Sequence, residues 1–264
     1  MMTAAGPANK AIKQVVIVGG GTAGWLAANH LANNLASNTA EGVQVTLIES
    51  PNIPTVGVGE GTVPLMRQSL QALGISETEF IQECEATFKQ GIKFVDWVHN
   101  PIQNKPNYYH HIFDYPQINE IDLTPYWLQS QDNKGNDSYV DAVSIQGKIC
   151  DLGLAPKLIT TPEYQGQSAY AYHLDAGKFS ALLTKNATQK LGVKHLLAEV
   201  IDVKQHTNGD IASVITDTTG EISGDLFIDC TGFSALLIGK TLNVPFIDKS
   251  DVLFADHALS LIHI

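Results

Sequence analysis

The sequence predicts an α/β protein in which a parallel-sheet domain is interrupted by a loop- and strand-rich insertion. Three observations carry that expectation. A β-branched run, a glycine cluster, an apolar-periodic segment and a second β-branched run follow one another between Gln14 and Glu49, which is the order of a β-α-β unit. A further buried-looking strand, Asp225-Leu226-Phe227-Ile228-Asp229-Cys230, returns only near the end. Between them, residues 92–167 are irregular and rich in aromatics, Asn and Pro. That stretch reads as strands and long loops covering a ligand.

Taken in order, residues 1–10 are small and polar and read as a flexible tail. Gln14 to Val18 is a strand buried on both faces, Ala23 to Leu35 a helix, and Val43 to Glu49 the second strand. Pro64 then suits the first turn of a helix carrying Leu65, Met66, Leu70 and Leu73, with Gly74 as its stop. Ser76-Glu77-Thr78-Glu79 has the form of a capping box. The apolar positions Phe80, Ile81, Cys84 and Phe88 extend that helix to about Gly91 and leave Lys89 near its C-terminus. Ala176 to Leu191 is another amphipathic helix. Lys194 to Leu197, Glu199 to Gln205 and Ile211 to Ile215 are strands, the last two closed into a hairpin by Asn208-Gly209-Asp210. Residues 11–100 and 171–258 thus form two parts of one domain, with 101–170 as the insertion.

Composition excludes more than it selects. A formal charge of −11 leaves no basic stripe for a nucleic-acid backbone. Cys84, Cys150 and Cys230 are odd in number and lack CxxC spacing, which suits a reducing compartment; Cys84 and Cys230 read as small core residues. The apolar stretch from Val15 to Ala32 resembles a signal peptide, but glycines interrupt it. No other run is long enough to span a membrane, and a cytoplasmic protein is expected.

The strongest motif is Gly19-x-Gly21-x-x-Gly24, because it follows a strand, opens a helix and leads to a second strand ending in Glu49. Gly19 permits the tight turn, Gly21 lets the backbone approach a pyrophosphate, and Gly24 packs helix against sheet. The first-turn N–H groups, from Thr22 and Ala23 onward, favour phosphate. Glu49 can accept from ribose hydroxyls and would repel a 2′-phosphate. This much leaves FAD and NAD both open.

Asp225 to Gly232 resembles the second flavin-contacting strand of two-dinucleotide-binding-fold flavoproteins, which tilts the choice to FAD. Three stretches then resemble the flavin-dependent tryptophan halogenases: Ile53 to Pro64, Thr87 to Trp97, and Asp225 to about Ala258. The resemblance implies an FAD-binding Rossmann-like fold of the GR2-type flavoprotein monooxygenase kind. It places Gly19, Gly21, Thr22, Ala23, Gly24, Glu49, Ser50, Ile53, Val56, Gly61, Val200, Thr231 and Gly232 at FAD. It makes Lys89 the catalytic lysine, set against the plain reading of a solvated residue at a helix end, and leaves Lys93 structural. His111 and Phe113 match positions beside the substrate ring, the alternative being an aromatic cluster that fills a lid. His110-His111 as a metal site lacks a third ligand at suitable spacing.

The implied chemistry takes FADH2 from a separate flavin reductase, with oxygen and a halide, to make hypohalous acid. Lys89 would activate that acid beside tryptophan or a related indole, in a protein that could be a homodimer. The family's later Trp-rich motif and catalytic glutamate are not in these residues, and Leu259 to Ile264 no longer resembles the family. The expectation is therefore a fragment truncated at its C-terminus, inactive alone, with a non-native tail over 259–264. Rival readings are a flavoprotein monooxygenase or oxidoreductase of the same fold, and a non-enzymatic flavin-binding module. An NAD-binding domain is the bland fallback.

Overall fold

The computed structural model describes residues 11–54, 60–97, 99, 103, 107–132, 138–255 and 257. The tail over 1–10, Val56 and the segment 259–264 lie outside the described residues. Along the chain come β1 (Gln14–Val18), α1 (Thr22–Asn34) and β2 (Gln44–Glu49), then β3 (Glu60–Gly61), α2 (Leu65–Ala72), α3 (Glu77–Glu83), β4 (Thr87–Lys89), β5 (Gly91–Val95) and β6 (Tyr108–Ile112). β7 (Gln117–Ile118), β8 (Ile121–Asp122), α4 (Thr124–Asp132), α5 (Tyr139–Val143), α6 (Gln146–Asp151) and β9 (Ala171–Leu174) follow. The last part holds α7 (Ala176–Gln189), β10 (Lys194–Leu197), β11 (Val200–Gln205), β12 (Ile211–Thr216), β13 (Gly220–Ser223), β14 (Leu226–Asp229) and a single π-turn, Leu236–Thr241. These elements divide into two compact units: residues up to 59 with those from 176 onward, and residues 60–175.

The first unit is built on a parallel sheet in the order β10-β2-β1-β14. Its central strands are mostly apolar because both faces are covered: Val15, Val16, Ile17, Val45 and Leu47 are all buried. Helices α1 and α7 pack together through a buried amide clamp. Asn29 Nδ2 donates to the carbonyls of Trp25 (2.8 Å) and Leu183 (2.9 Å), and Asn186 Nδ2 donates to Asn29 Oδ1 (2.9 Å). The antiparallel sheet β11-β12-β13 includes the expected hairpin plus one strand the pattern did not announce. Val214 of that sheet packs with Val16, Val18, Ile48 and Leu237.

The second unit contains the antiparallel sheet β3-β9-β4, the pairs β5-β6 and β7-β8, and helices α2 to α6. Here the sequence expectation needs two corrections. The helix begun at Ser76 stops at Glu83, not near Gly91, with Glu85 at φ 49°. Phe88 and Lys89 therefore belong to a strand, because residues 87–89 find backbone partners in β9. The stretch 92–167 holds three short helices as well as strands and loops. Cys84 is buried as expected, whereas Cys230 is only partly covered.

What anchors this unit is a carboxylate. Glu77, 2% exposed, accepts from Tyr170 Oη (2.6 Å), Tyr172 Oη (2.7 Å), Lys157 Nζ (2.6 Å) and the Tyr164 N–H (2.7 Å). Burial alone would raise its pKa, but these donors outweigh it and hold the carboxyl below the usual glutamate value. Burial, then the neighbouring Glu77 charge, pushes the Tyr170 and Tyr172 phenols well above the usual value, so they remain donors. Ser76 does cap α3, accepting from the Glu79 N–H. The carboxylate that bonds Ser76 Oγ is Glu163, which also takes the Thr78 N–H.

Candidate functional site

At the carboxyl ends of β1, β2 and β14, the first unit forms a backbone-built cradle. A side chain at Gly19 (φ 115°) would lie 2.2 Å from the Cys230 carbonyl oxygen, and one at Gly24 would lie 1.9 Å from the Gly19 carbonyl. Both positions need glycine so that turn, helix and β14 can approach. Gly21 is different, because a side chain there would meet nothing within 4 Å. It caps α1 without any side-chain hydrogen bond, so no side chain takes up the unpaired first-turn N–H groups that an anion could use. The residues present fit a dinucleotide pyrophosphate.

Around this turn the expected contacts fall into place unevenly. Glu49 ends β2, but its Oε2 lies 2.8 Å from His195 Nε2, whose ring meets Trp25 edge-on. A carboxylate has about four lone-pair sites, so capacity for a ribose hydroxyl remains. Ser50 Oγ bonds the Glu199 carboxylate and accepts the N–H groups of Asn52 and Ile53, shaping the turn from which Ile53 projects. Val200 opens β11, half-buried. Asp229 organises the loop beyond β14: its carboxylate accepts from Thr231 Oγ1 and N–H and from the N–H groups of Leu237 and Ile238. Burial opposes the charge, yet those bonds keep its pKa below the usual value. Gly232 follows at φ 60°. Gly61 lies in β3 of the second unit.

There it serves the lysine. Lys89 pairs with Ala171 across β4-β9, while Gly61 and Thr87 both pair with His173. Directly opposed residues share a face, so Lys89, Thr87, Ala171, His173 and Gly61 all point the same way. Phe88, Tyr170 and Tyr172 take the other face and interlock edge-on in the core, beside Phe80. The Lys89 chain runs diagonally over the small Ala171 until Nζ stands 3.1 Å from where a Gly61 side chain would begin. Burial lowers the Lys89 pKa, and among the described residues no carboxylate pairs with it. Lys93, by contrast, pairs with Asp151 at 2.8 Å and lies over the Tyr108 ring. It is a structural cation.

Phe113 comes to Lys89, its ring centre 5.7 Å from Nζ. Gln146, fully buried, fixes that segment by accepting the N–H groups of Phe113 and Asp114 and donating to the Ala169 carbonyl. Lys89, His173, His111 and Leu154 line a cavity of about 530 Å³. Phe113, Tyr115, Tyr139 and His111 line another of about 690 Å³. His111, exposed on β6, borders both. The sequence did not single out His173, Gln146 or Glu77. One signal was present: Ala169-Tyr170-Ala171-Tyr172-His173-Leu174 alternates with period two, the mark of a strand with one packed face.

The family model for tryptophan halogenase matches residues 14–263. The chain belongs to the tryptophan halogenase family. Among relatives of this halogenase-family chain, the tryptophan 6-halogenase SttH of Streptomyces toxytricini is 36% identical over 94% of the chain and 49% of its own length. The crystal structure of a tryptophan halogenase from Shewanella frigidimarina NCIMB 400 superposes with a TM-score of 0.85 at 47% identity, covering 92% of the chain and 47% of the other. A flavin-dependent halogenase from Xanthomonas campestris gives 0.78 at 35%, covering 91% and 46%. The fold is the FAD-binding Rossmann-like fold of these neighbours. The chain spans about half the length of the curated relatives it matches.

Proposed function

We propose that this chain forms the cofactor-binding and lysine-bearing part of an FAD-dependent halogenase acting on tryptophan or a related indole. The observation that carries the reading is Lys89: a sheltered cation without a carboxylate partner among the described residues, on a sheet anchored from behind, facing a cavity.

Gly19, Gly21, Thr22, Ala23 and Gly24 would hold the FAD pyrophosphate and Glu49 the adenosine ribose. Ser50, Ile53, Val56, Val200, Thr231 and Gly232 would line the rest, and Gly61 is assigned to the lysine side as well. When bound, FAD reduced by a separate flavin reductase would supply, with oxygen, the oxidising power needed to convert halide to hypohalous acid. Lys89 acts on that acid. Its ammonium donates to the acid's oxygen and polarises the oxygen–halogen bond, or its amine takes the halogen. Lowering of its pKa by burial makes the second role accessible. Phe113 offers an aromatic face to the indole, and His111 borders both cavities.

No described helix is long and apolar enough to cross a membrane, and the three cysteines are free. A cytoplasmic setting is part of the proposal, as is a homodimer of the complete protein. The test uses the protein encoded by the full gene. Lys89→Ala should lower halide-dependent product formation by about 100-fold or more, while flavin binding, followed by absorbance titration, is retained. Undiminished halogenation by that variant would end the proposal.

A further inference from the structure

His173 shares the face of the β3-β9-β4 sheet with Lys89, one strand away. Gly61, directly opposite His173, contributes no side chain. The position its Cβ would take lies 3.1 Å from Lys89 Nζ and 3.4 Å from His173 Nδ1. The two nitrogens therefore converge on one niche, and both border the same cavity of about 530 Å³. Of the other ionisable side chains on that cavity, Lys93 pairs with Asp151 at 2.8 Å, while His110 and His111 stand on β6.

We propose that His173 is the proton acceptor for Lys89, taking through its Nδ1 edge the proton that the ammonium must shed before its amine can receive an electrophilic halogen. This rests on the halogenase reading for its purpose, though not for its test. The steps balance. Lys89 passes a proton to His173, leaving a free amine and an imidazolium. The amine lone pair forms the nitrogen–halogen bond as the oxygen–halogen bond of the hypohalous acid breaks. The departing hydroxide takes the imidazolium proton and leaves as water. The haloammonium then loses its extra proton to the regenerated imidazole, whose exposed edge hands it to solvent. Partial burial and, second, the Lys89 charge keep His173 below the usual histidine pKa.

Two measurements on the purified chain test this without cofactor or indole. The first is a titration of histidine labelled with carbon-13 at Cε1, followed by NMR. Lys89→Met should raise the His173 midpoint by about half a unit or more, the effect of a unit charge a few ångström away even at the dielectric of water. An unchanged midpoint would overturn the proposal. The second measurement supplies substoichiometric hypochlorite and follows N-chlorination of Lys89 by mass spectrometry, with Lys93 as internal reference. His173→Asn, which can hydrogen-bond but cannot take a proton, should slow Lys89 chlorination about tenfold, less than a typical general base because solvent also accepts protons. Equal rates in the variant and the parent chain would overturn it too. Failure of the complete protein to halogenate indoles would leave both readouts intact.

Discussion

The two sheets present their chemistry by opposite means. The parallel sheet of the first unit offers a site made of main chain, with glycines at Gly19, Gly21 and Gly24 and open space beside Gly21 at the start of α1. The small antiparallel sheet of the second unit offers a site made of side chains, Lys89 and His173, held from behind by aromatic rings and a buried carboxylate. A main-chain site is exposed to added atoms, and a side-chain site to removed ones. The first tolerates many neighbours but few extra Cβ atoms. The second depends on an anchor remote from its reactive groups.

The largest effect expected from this contrast is at that anchor. Glu77→Ala removes the carboxylate acceptor shared by the Lys157 ammonium and two tyrosine hydroxyls and should cost about 3–5 kcal/mol, measured as a shift in urea midpoint. A loss below about 1 kcal/mol would mean that the aromatic packing alone holds the sheet. Next comes Gly24→Ala, where the new methyl meets the Gly19 carbonyl. A destabilisation on the order of 2–3 kcal/mol is expected. Gly21→Ala sharpens the comparison, since its Cβ enters vacant space. Stability should change by only about 0.5 kcal/mol, yet flavin affinity should fall about tenfold through crowding of the phosphate.

Acid gives the mildest test. The folded pKa of Glu77 lies below the unfolded glutamate value of about 4.3, so its contribution is fully present above that pH and is lost as pH falls through the folded value. Glu163, lowered to about 2 by hydrogen bonds from Thr78 and Ser76, follows the same sign. The thermal midpoint should decline between about pH 4.3 and 2, and less steeply in Glu77→Gln. An equal slope in that variant would remove Glu77 from the account.

The same contrast decides what could be read in advance. β1, α1 and β2 were legible because glycines punctuate mostly apolar runs, and strand 225–230 through its apolar centre Leu226-Phe227-Ile228. Residues 84–89 misled, since Phe88 continues the helical spacing of Phe80 and Cys84, and the break at Glu85 has no glycine or proline to announce it. That error concealed the setting of Lys89 while leaving its identity visible through family likeness. His173 carried no motif at all. Its significance comes from pairing between strands far apart in sequence, which local pattern does not encode.

Strand pairing also gives the lysine a parity. The side chain at position 89 faces the cavity only because β4 meets β9 in one alignment, and its immediate neighbour Phe88 faces the opposite way. Inserting a single residue into the connection before Thr87 would invite a one-step slip that exchanges cation and ring; inserting two would restore the original orientation. Tolerance of length changes here should accordingly be odd–even rather than graded, a rule that protein engineers could exploit when redesigning this edge.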